Sequence, residues 1–85
     1  MKAVIILRFS PQEPFPWWAV KLEKEEKDFG NRSDSWDRVV DFLIERGVKS
    51  SEIEFFYENG EPGRKDFENI FRYSYERIYK KTQLS

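Results

Sequence analysis

The chain reads as a small α+β domain in the order β-β-α-β-α, with a three-stranded mixed sheet and two helices packed on one of its faces. Three observations lead there. Ala3–Leu7 is the only run of five consecutive aliphatic residues, and three of the five are β-branched. Residues 34–46 carry an apolar stripe at helical spacing, closed by Gly47. Two further stretches, Trp17–Leu22 and Ile53–Tyr57, have strand character, and a second helical pattern runs toward the end of the chain. Eighty-five residues supply one domain, 1–85, with its ordered core expected over about 2–81.

The first strand is the organising element. β-Branched side chains suit a pleated, packed surface, and an apolar run without polar alternation predicts a strand covered on both faces. Prolines at 11, 14 and 16 stop it, because proline donates nothing to a ladder and restrains the residue before it. Trp18, Val20 and Leu22 then alternate with Trp17, Ala19 and Lys21, a period of two that predicts a half-buried strand. The charged run from Glu23 to Asp28, ending in Phe29-Gly30-Asn31, reads as the turn that leaves it.

A helix over 34–46 follows. Ser33 or Asp34 can cap it, and Asp37 stands close to a capping-box spacing. Trp36, Val39, Val40 and Leu43 form its apolar stripe, and Gly47 followed by Val48 fits a glycine-terminated helix end. Ile53–Tyr57 reads as a strand closed by the Asn59-Gly60 turn signal. Beyond it Phe67, Ile70, Phe71, Ser74 and Ile78 recur at helical spacing. Glu68, Arg72, Glu76 and Lys80 alternate in sign every four residues. These patterns outweigh the competing strand alternation of Phe71, Tyr73 and Tyr75, so 67–80 is predicted to be helical.

Composition excludes several kinds of chemistry. With no Cys and no His, the chain has no disulfide, no thiol nucleophile and neither the commonest general base nor the commonest metal ligand. No carboxylate is marked as buried, and so small a domain leaves little room for an enclosed pocket of about 300–1,000 Å³. The expectation is a non-enzyme that holds no cofactor and no metal. A net charge of −1 exerts no overall pull on nucleic acid or an anionic membrane. No stretch approaches the roughly 20 apolar residues of a membrane span, and Ala3–Leu7 is too short for a secretory signal core, so a soluble cytoplasmic protein is expected.

What remains is aromatic surface: eight Phe, four Tyr and three Trp, each able to bury about 150–250 Å². Phe15-Pro16-Trp17-Trp18 concentrates it. Neighbouring strand residues point to opposite faces, so with helices on one face only, one tryptophan is left for a partner or packs under the proline loop. Asp37, Asp41 and Glu45 repeat every four residues on the wet face of the helix and are the candidate polar rim.

The expected function is a small protein-binding module acting as inhibitor, adaptor or assembly factor, its partner another protein or a second copy of itself. Compact, motif-free chains of this type are common among viral and mobile-element products. The alternative is a single-stranded RNA- or DNA-binding protein. Phe55, Phe56 and Tyr57 would stack bases, and Gly63, Arg64 and Lys65 at a helix start, with Arg72, would hold phosphates. Its electrostatic support is a surplus of two over 61–81, six basic residues (Arg64, Lys65, Arg72, Arg77, Lys80, Lys81) against four acids (Glu61, Asp66, Glu68, Glu76).

Overall fold

The computed structural model describes residues 2–8 and 16–84. The prolines at 11 and 14 and the candidate residue Phe15 lie outside the described residues. β1 (Ala3–Arg8) is interior to a four-stranded sheet, in the order β3-β2-β1-β4. It pairs antiparallel with β2 (Trp17–Leu22) and parallel with β4 (Ile53–Tyr57), so that Ile5 stands opposite both Val20 and Phe55. Helices α1 (Ser35–Glu45) and α2 (Lys65–Leu84) cover one face, as the α+β reading requires.

The strand count is corrected from three to four. The expected turn Glu23–Asp28 contains a two-residue reversal at Glu23-Lys24, Glu23 having φ 57, and then a further strand, β3 (Glu25–Gly30). Its charged sequence hides it, because an edge strand needs no apolar alternation and benefits from charges that discourage further pairing. A bulge at the Trp18/Ala19 step leaves Phe29 unpaired and sends its ring toward α1, 5.3 Å from that of Phe42. The other edge, β4, is folded over by its own turn. Tyr57 N–H donates to the Glu61 carbonyl at 2.8 Å, and Gly63 N–H to the Phe55 carbonyl at 3.0 Å.

A second correction concerns β1, predicted to be covered on both faces. Ala3, Ile5 and Leu7 are fully buried, whereas Val4 and Ile6 are partly exposed on a face that no described element covers. The covered face is built around rings. Trp18 lies 5.6 Å from Trp36, 5.7 Å from Phe67 and 6.0 Å from Phe71, and Phe55 lies 5.0 Å from Phe71. Val39, Val40 and Leu43 of α1 complete this core.

The helix ends follow local chemistry, in part as expected. Gly47 (φ 69) donates to the Ile44 carbonyl and Val48 to that of Leu43, which closes α1 as predicted. The cap at the other end differs. Asp34 occupies the capping position but makes no side-chain cap; its carboxylate meets Arg38 at 3.0 Å instead. The fixing contact is made by Ser35, whose buried hydroxyl accepts from Arg32 N–H and donates to the Phe29 carbonyl.

α2 is longer than expected, and its buried stripe is also revised. Phe67, Phe71, Tyr75 and Tyr79 face the core, while Ile70 and Ile78 do not. A four-residue repeat follows one ridge of the helix surface, and it is this ridge that lies on the sheet. The buried Tyr75 hydroxyl donates to the Val48 carbonyl at 2.5 Å. Arg72 donates to the Ser50 and Ile53 carbonyls and to Glu68, joining α2 to the 3-10 turn Ser50–Glu52 that leads into β4.

Candidate protein-interaction face

The side of the sheet away from the helices follows from strand parity. Core residues occupy alternate positions of β1, β2 and β4, so the positions between them share the other face: Val4 and Ile6, Trp17 and Ala19, Glu54 and Phe56. On β3, the residues in register with that face are Glu26, opposite Lys21, and Asp28, opposite Ala19. The result is an apolar centre with charged borders. Lys2 pairs with Glu54 at 3.1 Å, and Arg8 with Glu58 at 2.8 Å.

Trp17 stands at one end of this centre, opposite Arg8. Its indole N–H donates to Asp28, which also accepts from Gly30 N–H, and the Arg8 guanidinium lies 6.0 Å from its ring. The ring is therefore held on the face while remaining partly exposed. Beside it is a shallow cleft of about 280 Å³ lined by Ile6, Arg8, Trp17, Ala19, Glu26, Asp28 and Glu58. Ile6, Ala19 and Trp17 give it an apolar lining, and acids outnumber bases around it by three to one. Arg8, the one base, is already paired with Glu58.

The predicted partner-binding residues separate under this geometry. Trp18 is 3% exposed and belongs to the core, so the apolar anchor on offer is Trp17. Asp37, Asp41 and Glu45 are exposed on α1, in the helical layer across the sheet from Trp17. Asp41 and Glu45 instead border a groove between α1 and the β3 edge, with Lys27, Arg38 and Arg46. They are not brought to the tryptophan as its rim; Glu26, Asp28 and Glu58 hold that position.

The residues of the nucleic-acid alternative also disperse. Phe55 is buried against Phe71, Phe56 lies on the open face, and Tyr57 packs partly against the core. Gly63 has a structural use: a Cβ there would stand 3.0 Å from the Cβ of Phe55. Arg64 pairs with Asp66 at 2.7 Å, Lys65 is exposed at the start of α2, and Arg72 is engaged by two carbonyls and Glu68. Phe67 N–H, and after it Arg64, hold Asp66 below the ordinary carboxylate value, so acid and base at this helix start neutralise each other.

Among the described residues, no group of three or more carboxylates is placed to hold a metal ion, and no helix is long and apolar enough to cross a membrane. The Tyr75 hydroxyl is pushed well above its usual titration range, chiefly by burial and then by the charges of Tyr79 and Glu52; it sits inside the core rather than in a cleft. Comparison with protein-family models, curated proteins and solved structures finds no match for the chain.

The open face could be missed in the sequence because Val4 and Ile6 look like core residues. The available signal was the parity of Trp17 with Ala19 and of Glu54 with Phe56, read together across strands.

Proposed function

We propose that this protein is a binding module for another protein, working as an inhibitor, adaptor or assembly factor through the open face of its sheet. The observation that carries the reading is the strip Val4, Ile6, Ala19 and Phe56, partly exposed and covered by no described element, ending at the partly exposed ring of Trp17. Aromatic anchors set in an apolar surface with a polar rim are the usual centres of binding energy at protein interfaces. The partner suited to the cleft presents a lysine or arginine. Its aliphatic stem would lie on Ile6 and Ala19, and its charge would meet Glu26, Asp28 and the indole face.

The test is capture of partners from lysate on the immobilised protein after nuclease treatment, with Trp17→Ala, Glu26→Lys and Asp37→Asn compared with wild type. One protein retained by wild type and by Asp37→Asn, but lost from the folded Trp17→Ala and Glu26→Lys variants, is the expected result. Recovery that disappears with nuclease, or a partner indifferent to Trp17 and Glu26, refutes it.

A further inference from the structure

The turn that closes β4 carries the materials for a reaction of its own. Of the three asparagines in the chain, Asn31 is followed by Arg32, Asn69 by Ile70, and Asn59 by Gly60. A backbone nitrogen can attack the side-chain amide of the asparagine before it, and a residue without a side chain leaves that nitrogen unhindered. Asn59 and Gly60 are both exposed, and nothing lies within 4 Å of where a Cβ on Gly60 would stand. The amide is also engaged in a favourable way. Glu61 N–H donates to the Asn59 side-chain oxygen at 3.0 Å, the atom on which negative charge develops when its carbonyl is attacked. One contact opposes the reaction: Gly60 N–H donates to the Tyr57 carbonyl at 2.9 Å, which holds the attacking nitrogen until the turn opens. Asn69, by contrast, lies within α2, where helical hydrogen bonding fixes the nitrogen that follows it.

We infer that Asn59 is a self-modification site, which converts through a cyclic imide to aspartate and isoaspartate. The Gly60 nitrogen bonds to the side-chain carbonyl carbon of Asn59 and gives up its proton. The carbon–nitrogen bond of the side-chain amide breaks, and the proton leaves with it as ammonia. Water, the only other reactant, then opens the ring at either carbonyl. Opening at one carbonyl restores the ordinary main chain with aspartate at position 59. Opening at the other carries the main chain through the side-chain carbon, one methylene longer. Both products add a negative charge between Glu58 and Glu61. The longer chain does more. Tyr57 N–H to the Glu61 carbonyl at 2.8 Å, and Gly63 N–H to the Phe55 carbonyl at 3.0 Å, fold this turn over β4. An added methylene between Tyr57 and Glu61 displaces the second from the first, so the isoaspartyl form loosens the cover of the β4 edge.

Incubation of the folded protein at mildly alkaline pH, followed by peptide mapping with mass spectrometry, tests this. Asn59 should convert ahead of Asn31 and Asn69, with isoaspartate in excess over aspartate. The rate should climb with pH, because the attacking nitrogen must lose its proton. In urea the conversion should be several-fold faster, since unfolding frees Gly60 N–H from the Tyr57 carbonyl. Gly60→Ala, compared with wild type in urea where the turn no longer matters, should be several-fold slower. In the isoaspartyl product, amide exchange at Tyr57 and Gly63 should be faster than in the parent. An Asn59 that stays intact, or that converts after Asn31 or Asn69, overturns the inference. So does aspartate as the sole product, which means direct hydrolysis, and so does a rate in urea indifferent to Gly60→Ala. A folded rate equal to the rate in urea removes the gate at Tyr57, and unchanged exchange at Tyr57 refutes the loosening of β4.

Discussion

Trp17 and Trp18 are adjacent in the chain and lie in different physical worlds. Trp18 turns to the helical side and is enclosed by Trp36, Phe67 and Phe71; Trp17 turns to the open side and is held by a hydrogen bond to Asp28. The same contrast extends over the whole sheet. On the covered face large rings fill the space between strands and helices. On the open face Val4, Ile6, Ala19 and Phe56 lie between the partly exposed ion pairs Lys2–Glu54 and Arg8–Glu58. One residue type therefore fills the core on one side and stays partly exposed on the other, where the proposed function makes it the anchor for a partner. Burial and neighbours decide between these uses; residue identity does not.

The sharpest way to break the comparison is to truncate both tryptophans. Trp18→Ala should cost about 3–5 kcal/mol, a large part of the total stability of a chain this size, and urea unfolding should show it directly. Trp17→Ala should cost below about 1 kcal/mol while removing partner capture. Equal costs at the two positions would mean that the open face is covered in solution.

A smaller effect probes how the helical layer is fastened. Arg72→Ala leaves the Ser50 and Ile53 carbonyls without their charged donor and should destabilise by about 2 kcal/mol. Replacing exposed Arg8, which pairs only on the open face, should cost below about 1 kcal/mol in the same denaturation assay.

Smaller still is the change Tyr75→Phe, which should cost about 1 kcal/mol at neutral pH through loss of the bond to the Val48 carbonyl. It also has a distinct alkaline signature. Burial raises the Tyr75 titration in the folded state above its ordinary value of 10.0, so the folded protein keeps a proton that the unfolded chain releases. Stability from this group is complete below about pH 10 and declines as the pH rises further, by up to about 1.4 kcal/mol per unit. Wild type should lose stability faster than Tyr75→Phe between pH 9.5 and about 11, followed by denaturant midpoints. Parallel losses would show that Tyr75 does not titrate differently in the two states.

Local signals made much of the fold legible. The glycine at 47 stopped α1 where expected because a left-handed backbone position is a property of a few residues. The interior place of β1 followed from its unbroken aliphatic run. β3 was not legible, since Glu-Glu-Lys-Asp has no strand period of its own and becomes a strand only by pairing with β2. The α2 stripe was misread for a related reason. Several apolar rows exist on that helix, and the angle at which it crosses the sheet selects the row of Phe67, Phe71, Tyr75 and Tyr79. For the candidate site, Trp17 was legible as one of two alternatives, but its neighbours Glu26, Asp28 and Glu58 come from distant parts of the chain.

By itself the sequence determined the α+β class, the two helices, the three apolar strands and the absence of thiol and imidazole chemistry. Each of these depends on residue type and short-range spacing. Only the tertiary structure decided which tryptophan is buried, that a charged segment completes the sheet, and that Asp37, Asp41 and Glu45 lie away from Trp17. Those outcomes depend on register and on which face the helices cover, and both are set by long-range packing that no local pattern encodes.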